Sequence, residues 1–578
     1  MFIIMAKKVK VTQKLDQENQ VFLRARAALL ETNSNLFITG RAGTGKSTLL
    51  EMVRGQIKAN LVVLAPTGVA ALNVEGETIH SFFKIFPGDT IEETAQKIPK
   101  FREETVTILK KLELIIIDEI SMVRADLLDQ VDLILRKVRR SEEAFGGVRF
   151  VFFGDLFQLP PVVTSSERKW IEENYETPYF FSSQVFRRIL AGGGKGGAGF
   201  QFFELIKIYR QKDQEFIDFL DQVRFKNFED QTFLERLNRQ IVGDDLGSLT
   251  DQTVVLTTTR AKSQQINDEK LRLLPDVKHN FTAQVTGALK GSDYPTDLEL
   301  TLKIGARVMV ICNAPVTKDS KSNIPIRDYV NGTMGRVVGF VTVEEWLKEV
   351  GGEKEDGGGK LGAKDYFQSD RGEVGVIVLT DEGRRLVFYA HQWDKKEWAY
   401  DAVEGKLTNN TVGSFLQIPL KLAWAMTIHK SQGKTFDRVR IDLGKFCFAE
   451  GQTYVALSRC RTREGIELVR EIRTNDVRVD YQVTKFVTGL SYETAHQEQT
   501  VEEIRGLLEM AIEEELSVKI VYLKGKGVQS ERVIKPYEIS IDEFNGHEYE
   551  RLDAFCYKRQ DDRNFNVERI LSAEVVEG

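Results

Sequence analysis

Five apolar runs of strand length punctuate the first half of the chain: Leu36-Phe37-Ile38-Thr39, Leu61-Val62-Val63-Leu64, Leu114-Ile115-Ile116-Ile117, Phe150-Val151-Phe152-Phe153 and Val254-Val255-Leu256. Each is too continuous to be one face of a half-exposed sheet, so they predict a parallel sheet covered by helices. Between the third and fourth runs Leu127, Leu128, Val131, Ile134, Leu135 and Val138 recur at helical spacing, and Arg136, Lys137, Arg139 and Arg140 crowd the end of that helix. This basic end reads equally as a partner of the helix dipole and as a DNA contact. From Gly305 to about Pro419 the texture changes to short β-like runs (Arg307 to Val310, Gly335 to Val338, Val374 to Leu379, Leu386 to Tyr389) separated by turn signals at Asn331-Gly332 and Asp381-Glu382-Gly383. A small inserted barrel is expected there. Ala191 to Gly199 predicts a flexible joint and Glu355 to Gly359 a loop. Beyond about Glu498 a stripe of Ile504, Leu507, Leu508, Ala511 and Ile512, then Val518 to Tyr522 and the turn Gly525-Lys526-Gly527, predict a compact helix-plus-sheet unit.

A length of 578 residues fits three to five such units, at about 150 residues per domain. No apolar run approaches the roughly 18 residues of a membrane span, and Met1 to Ala6 is too short for a signal peptide. Cys312, Cys447, Cys460 and Cys556 lack metal spacing, which predicts reduced thiols and no zinc site. The net charge of −6 gives no bulk support to a nucleic-acid partner, which leaves a local basic groove as the only electrostatic route.

The chemistry concentrates where the runs end. Gly40-Arg41-Ala42-Gly43-Thr44-Gly45-Lys46-Ser47 stands between the first run and Thr48-Leu49-Leu50, a strand–loop–helix order that makes a phosphate cradle. Its backbone N–H groups turn onto an anion, Lys46 reaches the outer phosphates and the Ser47 hydroxyl ligates magnesium. The third run ends in Asp118-Glu119, an acidic pair suited to hold the magnesium shell (Asp118) and to polarise water (Glu119). The fourth ends in Gly154-Asp155 and places the amide of Gln158 at the same edge, where it can sense a terminal phosphate. Arg459, in Ala456-Leu457-Ser458-Arg459, is either a structural ion pair or, across a nucleotide cleft, an arginine finger.

Taken in order, the cradle, Ala65 to Ala71, Thr78-Ile79-His80-Ser81-Phe82-Phe83, Asp118-Glu119, Gly154 to Pro161, Tyr209-Arg210-Gln211, Thr427-Ile428-His429-Lys430-Ser431-Gln432-Gly433 and the Ala456 to Arg459 string resemble the superfamily 1 helicases. Asp126-Leu127-Leu128, the basic helix end and Phe145-Gly146-Gly147 resemble the signature of the PIF family of DNA helicases, over roughly residues 15 to 475. That resemblance implies an α/β fold of two RecA-like P-loop lobes using ATP and Mg2+: the first over 1–185, with a wedge subdomain at 83–105, and the second over 186–304 and 416–485. An SH3-like barrel would fill 305–415.

It further implies that Gly43, Thr44, Gly45, Lys46, Ser47 and Thr48 hold phosphates and metal, and that Gln158, Arg210, Gly433 and Arg459 surround the γ-phosphate. Pro66, Thr67, Gly68, His80, Phe82, Leu159, Pro160, His429 and Lys430 would lie along single-stranded DNA, crossed 5′ to 3′. Asn19 and Gln20 both occupy the neighbourhood of the adenine-reading glutamine. Residues 498–578 resemble a WYL domain in Ser530-Glu531-Arg532, Ala554 to Arg559, Arg563-Asn564-Phe565 and Glu568-Arg569-Ile570, although Glu550-Arg551-Leu552 replaces the name-giving tripeptide. Tyr522, Arg532, Arg559, Arg563 and Arg569 are its candidates for single-strand contact, against the alternative of a module that only docks on the motor. The resemblance implies duplex or structured DNA and replication or recombination proteins as partners, and a bacterial cytoplasm, at the nucleoid. Two other activities fit the same motifs, a RecD-like subunit of a recombination nuclease and a DNA-stimulated ATPase clamp that does not unwind.

Overall fold

The computed structural model describes residues 9–10 and 19–576, apart from 193–198, 229–231, 251, 288, 290, 292–293, 316, 319–324, 351–367, 402–405, 446, 448, 525–528 and 545. Met1 to Ala6, the centre of the Ala191–Gly199 joint, Glu355 to Gly359 and the turn Gly525 to Gly527 lie outside the described residues.

Six parallel strands form the first lobe, in the order Glu77–Thr78, Leu61–Ala65, Leu114–Ile117, Arg149–Gly154, Asn35–Gly40 and Phe200–Leu205. The first four apolar runs of the sequence are its centre, and they are buried on both faces as their continuity requires. Val254 to Leu256 belongs instead to a second parallel sheet, ordered Ala425–Thr427, Thr253–Thr257, Arg438–Asp442 and Ile466–Leu468. The expected first-lobe boundary at residue 185 needs correction. Phe200–Leu205 pairs with Asn35–Gly40 along its whole length and so belongs to the first sheet, with the glycine-rich stretch preceding it as a connection inside that lobe.

Inside the second lobe, between its strands Thr253–Thr257 and Ala425–Thr427, an antiparallel insertion carries a five-stranded sheet of Arg385–Tyr389, Glu373–Thr380, Met334–Thr342, Arg307–Val310 and Leu420–Leu422, together with a long hairpin of His391–Asp401 and Lys406–Gln417. The hairpin reaches back to the first lobe, where Lys111 lies over the Tyr400 ring at 5.3 Å and the Leu407 N–H donates to Asn60 at 3.2 Å. The helix Ala125–Arg139 buries the apolar face read from the sequence. Half of its basic end is engaged within the lobe: Arg139 donates to the carbonyls of Leu109, Lys110, Leu112 and Gly146, and Arg136 pairs with Asp132 and Glu142, while Lys137 and Arg140 are exposed.

After the second sheet the helix Tyr481–Glu498 returns to the first lobe. Val483, Val487 and Leu490 enter the core built by Phe37, Phe180 and Phe186, and Phe486 stacks on Phe181 at 4.2 Å. Buried aromatic pairs of this kind add about 0.5–1.5 kcal/mol to the area they remove from water. The C-terminal unit follows: the helix Val501–Glu513, opened by a Thr500–Glu503 capping box, covers a five-stranded antiparallel sheet of residues 517–576 through Ile504, Leu508 and Ala511. No helix among the described residues is long and apolar enough to cross a membrane.

Candidate functional site

The glycine loop turns between Asn35–Gly40 and the helix Lys46–Arg54, with Gly43 and Gly45 at φ of +85° and +91°. Gly43 tolerates no side chain, because a Cβ there would meet the Cβ of Arg210 at 2.5 Å. The Tyr209-Arg210-Gln211 string is thereby laid directly on the cradle, and the Tyr209 N–H donates to the Gly43 carbonyl at 2.8 Å. Lys46 Nζ donates to the Gly40 and Arg41 carbonyls at 2.6 and 2.9 Å, the posture of a cation held over the loop. Burial lowers its pKa, against the pull of Asp155 and Glu119. Thr44 is buried and donates to the Arg41 carbonyl, whereas Ser47 presents its hydroxyl on the exposed side of the helix start, next to half-buried Thr48.

At the end of Leu114–Ile117 burial raises the carboxyl of Asp118. Glu119 sits in the left-handed region at φ +53° and is pushed up to about 7 by burial and then by Asp118 beside it. A carboxylate poised there is a competent water-polarising base. Gln158 is buried, donates to Asp155 at 3.3 Å and accepts from Gln432 of the second lobe at 3.5 Å. Burial alone would raise Asp155, but Arg224 and Lys46 outweigh it and hold its carboxyl below the usual range.

The second lobe closes the site with the helix Gln452–Leu457. Its Tyr454 hydroxyl accepts from the Ala42 N–H of the cradle at 3.1 Å. Gly451 opens that helix and leaves no room for a Cβ, which would lie 2.2 Å from the Gln158 carbonyl. Arg459 follows the helix and is 2% exposed; its guanidinium donates to the Val455 and Ser431 carbonyls and to Ser458 Oγ. No carboxylate pairs with it at salt-bridge distance among the described residues, so the structural ion-pair reading has no support. Arg210 Nη1 donates to the Ser458 carbonyl at 3.2 Å, and burial together with Arg459 brings its pKa down to about 9. Two guanidiniums pressed together against burial mark a place built for an anion. Gly433 is exposed at φ +73° after the turn His429–Ser431.

The cradle also fits a nucleotide on its own evidence: a loop closed to side chains, a helix start and three cations, Lys46, Arg210 and Arg459, converge on it. Asn19 caps the helix Gln20–Glu31, accepting from the Phe22 N–H and donating to the Tyr209 hydroxyl at 3.0 Å, while Gln20 is exposed. Asn19 is thus engaged by both neighbours, and among the described residues the Gln20 side chain is not.

The residues expected along a DNA strand divide. Pro66, Thr67, His80, Pro160 and His429 are half-exposed and Gly68 and Lys430 exposed. Phe82 and Leu159 are the buried members of the set. Phe82 is 6% exposed, packs edge-on against Phe83 at 5.0 Å and lines a cavity with Lys84, Lys100 and Phe101, and Leu159 is fully buried among second-lobe apolar residues. The sequence reading missed the basic cluster around Lys430, where Lys421, Lys434 and Arg260 gather. Burial brings Lys421 and Lys434 down to about 8, with Lys430 adding to the effect at Lys421, and burial and Arg260 lower Lys430. Also missed were Arg224 and Asp155, a fully buried pair at 3.0 Å, and the Arg41–Asp221 bridge at 2.9 Å.

In the C-terminal unit Tyr522, Arg532, Arg559 and Arg563 line one cavity of about 330 Å³ with Lys524, Asn564 and Phe565. Arg569 is exposed outside that lining and faces Tyr492 of the long helix.

A family model for PIF1-like helicases matches residues 14–182, and one for WYL domains matches residues 503–575. The chain is 32% identical to the human "ATP-dependent DNA helicase PIF1" over 82% of its own length and 64% of that relative's. A crystal structure of Bacteroides sp Pif1 in complex with ADP-AlF4 is similar at a TM-score of 0.64 and 34% identity, covering 83% of this chain and 97% of that one. The Bacteroides Pif1 structure bound to ssDNA is similar at a TM-score of 0.54, also at 34% identity, over 84% of this chain and 98% of that one.

Proposed function

The chain belongs to the PIF1-like helicase family, and from that membership we propose that it is an ATP-dependent DNA helicase that moves 5′ to 3′ on single-stranded DNA and separates duplex or structured DNA. The observation that carries this reading is the enclosure of one phosphate cradle by two lobes, with Lys46 and Glu119 from the first and Arg459 from the second. Gly43, Thr44, Gly45, Lys46, Ser47 and Thr48 would hold the phosphates of ATP, and Ser47 and Asp118 the magnesium. The metal would neutralise charge on the phosphate oxygens. Glu119 takes the proton of the attacking water, Gln158 orients toward the terminal phosphate, and Arg210 and Arg459 stabilise the charge that develops there. Because Tyr454 already joins the second lobe to the cradle and Gly451 to the Gln158 turn, loss of the bridging phosphate changes the fit between the lobes, and a changed grip on DNA becomes a step.

The strand path would run over Pro66, Thr67, Gly68, His80, Pro160, His429 and Lys430, with Lys421, Lys434 and Arg260 supplying phosphate contacts that an overall negative chain otherwise lacks. Affinity then comes from backbone charge, with weak sequence preference. Lys430→Ala should weaken single-strand binding uniformly across sequences and flatten the slope of log Kd against log salt by about 0.7, the share of one phosphate contact on single strands. A slope unchanged within error would remove Lys430 from the path. The insertion is read as the SH3-like subdomain and residues 83–105 as the wedge. The C-terminal WYL domain is read as an accessory that takes single strands on Tyr522, Arg532, Arg559 and Arg563. Replication or recombination proteins as partners, and a bacterial cytoplasm with the nucleoid as the working place, complete the proposal.

Strand displacement decides among the activities that these motifs allow. A duplex with a 5′ tail should be opened with ATP and Mg2+, and the same duplex with a 3′ tail should not. Robust DNA-stimulated hydrolysis without displacement on either tail would instead identify a clamp.

A further inference from the structure

Arg224 has no role in the mechanism above, yet it is the most completely enclosed cation among the described residues. It is 1% exposed, and its guanidinium lies 4.4 Å from the Phe157 ring and 4.9 Å from the Phe225 ring. Of its donors, Nη2 reaches Asp155 Oδ1 at 3.0 Å, Nη1 reaches Glu204 Oε1 only at 3.5 Å, and Nε meets no acceptor among the described residues. A buried guanidinium with donors to spare is divided between two carboxylates, and strengthening one bond weakens the other.

The two carboxylates lead in opposite directions. Asp155 accepts from the amide of Gln158 at 3.3 Å and from the Phe157 N–H at 3.2 Å, and it faces Lys46, so its position fixes the phosphate-sensing side of the site. Glu204, on the edge strand Phe200–Leu205, offers its second oxygen, Oε2, to the Gln529 amide of the C-terminal domain at 3.2 Å. The helix that carries Arg224, Gln214–Phe225, also ties the glycine loop through Asp221 and Arg41. An unbroken polar chain, Gln529–Glu204–Arg224–Asp155–Gln158, therefore joins the C-terminal domain to the cradle.

We propose that Arg224 is a positioning residue of the ATP site, shared between Asp155 and Glu204, and that Gln529 sets the share by holding the Glu204 carboxylate away from it. With Gln529 in place Arg224 commits to Asp155, and Gln158 and Lys46 are held for the terminal phosphate. Without it Glu204 draws the guanidinium toward the edge strand and Asp155 loosens. This rests on the ATPase reading given above.

The test is a double-mutant cycle in the full chain, read by steady-state ATP hydrolysis at saturating single-stranded DNA, with thermal unfolding as a control. Gln529→Ala should lower kcat about 2- to 5-fold, within the range of measured couplings between sites, at an unchanged KM for ATP and an unchanged Tm. In a Glu204→Ala background the same substitution should do nothing. Equal effects in both backgrounds, or an unchanged kcat in Gln529→Ala, would overturn the proposal and leave Gln529 as a docking contact. Arg224→Ala strands Asp155 in the core and is expected to unfold, so Arg224→Lys serves as the second variant: it keeps the charge but not the fork, and should lower kcat more than it raises KM. A loss confined to KM would count against positioning. If the unaltered protein hydrolyses no ATP with DNA present, the ATPase reading itself fails; if it does and the cycle is additive, only this proposal fails.

Discussion

Arg459→Ala should reduce ATP turnover by about 10³- to 10⁵-fold while nucleotide still binds, because an arginine finger acts on charge that exists fully only in the transition state. Its placement makes the expectation specific. The side chain is 2% exposed and is steered by the Val455 and Ser431 carbonyls and Ser458 Oγ, all of the second lobe, whereas the carboxylates that act on its charge are Glu119 and Asp155 of the first. Held by two carbonyls and a hydroxyl, with no carboxylate at salt-bridge distance among the described residues, the guanidinium keeps its charge for an anion across the cleft. Arg459→Lys separates charge from geometry: it should recover little of the lost rate, since a single ammonium cannot reproduce the fork. Single-turnover hydrolysis beside equilibrium binding of an ATP analogue is the measurement. A loss below 10-fold in Arg459→Ala, with folding intact, would take this residue out of the reaction and with it the two-lobed site.

Glu119→Gln should lower hydrolysis by about 10²- to 10⁴-fold, the usual contribution of a positioned general base, and leave ATP and DNA affinities within a few-fold of the unaltered protein. The amide keeps the shape of a side chain packed at an αL position, so the substitution tests chemistry more than folding. Burial and Asp118 hold Glu119 at about 7, which matches its proton affinity to the task near neutral pH. Asp118 differs: proposed to hold the magnesium, it should on replacement weaken magnesium-dependent nucleotide binding as well as rate. A Glu119→Gln protein that still hydrolyses ATP at more than a tenth of the normal kcat would assign the base elsewhere.

Legibility in the sequence followed whether a feature is local in the chain. The cradle, Asp118-Glu119 and Gln158 each end an apolar run whose continuity announces a buried parallel strand, so both the element and the position of its chemistry could be read together. Arg459 was visible as a charge on an apolar helix, but its role depends on Tyr454 reaching Ala42 from another lobe. Arg224 had no local signal at all. It sits at helical spacing behind Phe216, Phe219, Leu220 and Val223, and only the fold brings Asp155 and Glu204 to it. Lys421 and Lys434 likewise look like ordinary solvated lysines until the strand and turn around Lys430 crowd them. The burial of Phe82 and Leu159 was not legible either, because each lies inside a string of mixed polar and apolar residues whose packing only the fold decides. The boundary at 185 failed because a glycine-rich stretch resembles a domain joint even when the next strand returns to the same sheet.

The return of Tyr481–Glu498 to the aromatic core of the first lobe has a mechanical consequence. The second lobe is entered from the Phe200–Leu205 strand and left through a helix whose Phe486 is clamped on Phe181, so both of its ends are moored to one body. A body moored at two points pivots about the line between them and cannot slide away. The C-terminal domain, strung beyond the second mooring, tied by Gln499 at the Ala573 backbone and by Gln529 to Glu204 of the first sheet, is hitched to the first lobe, so any turn of the second lobe would be made against their joint mass.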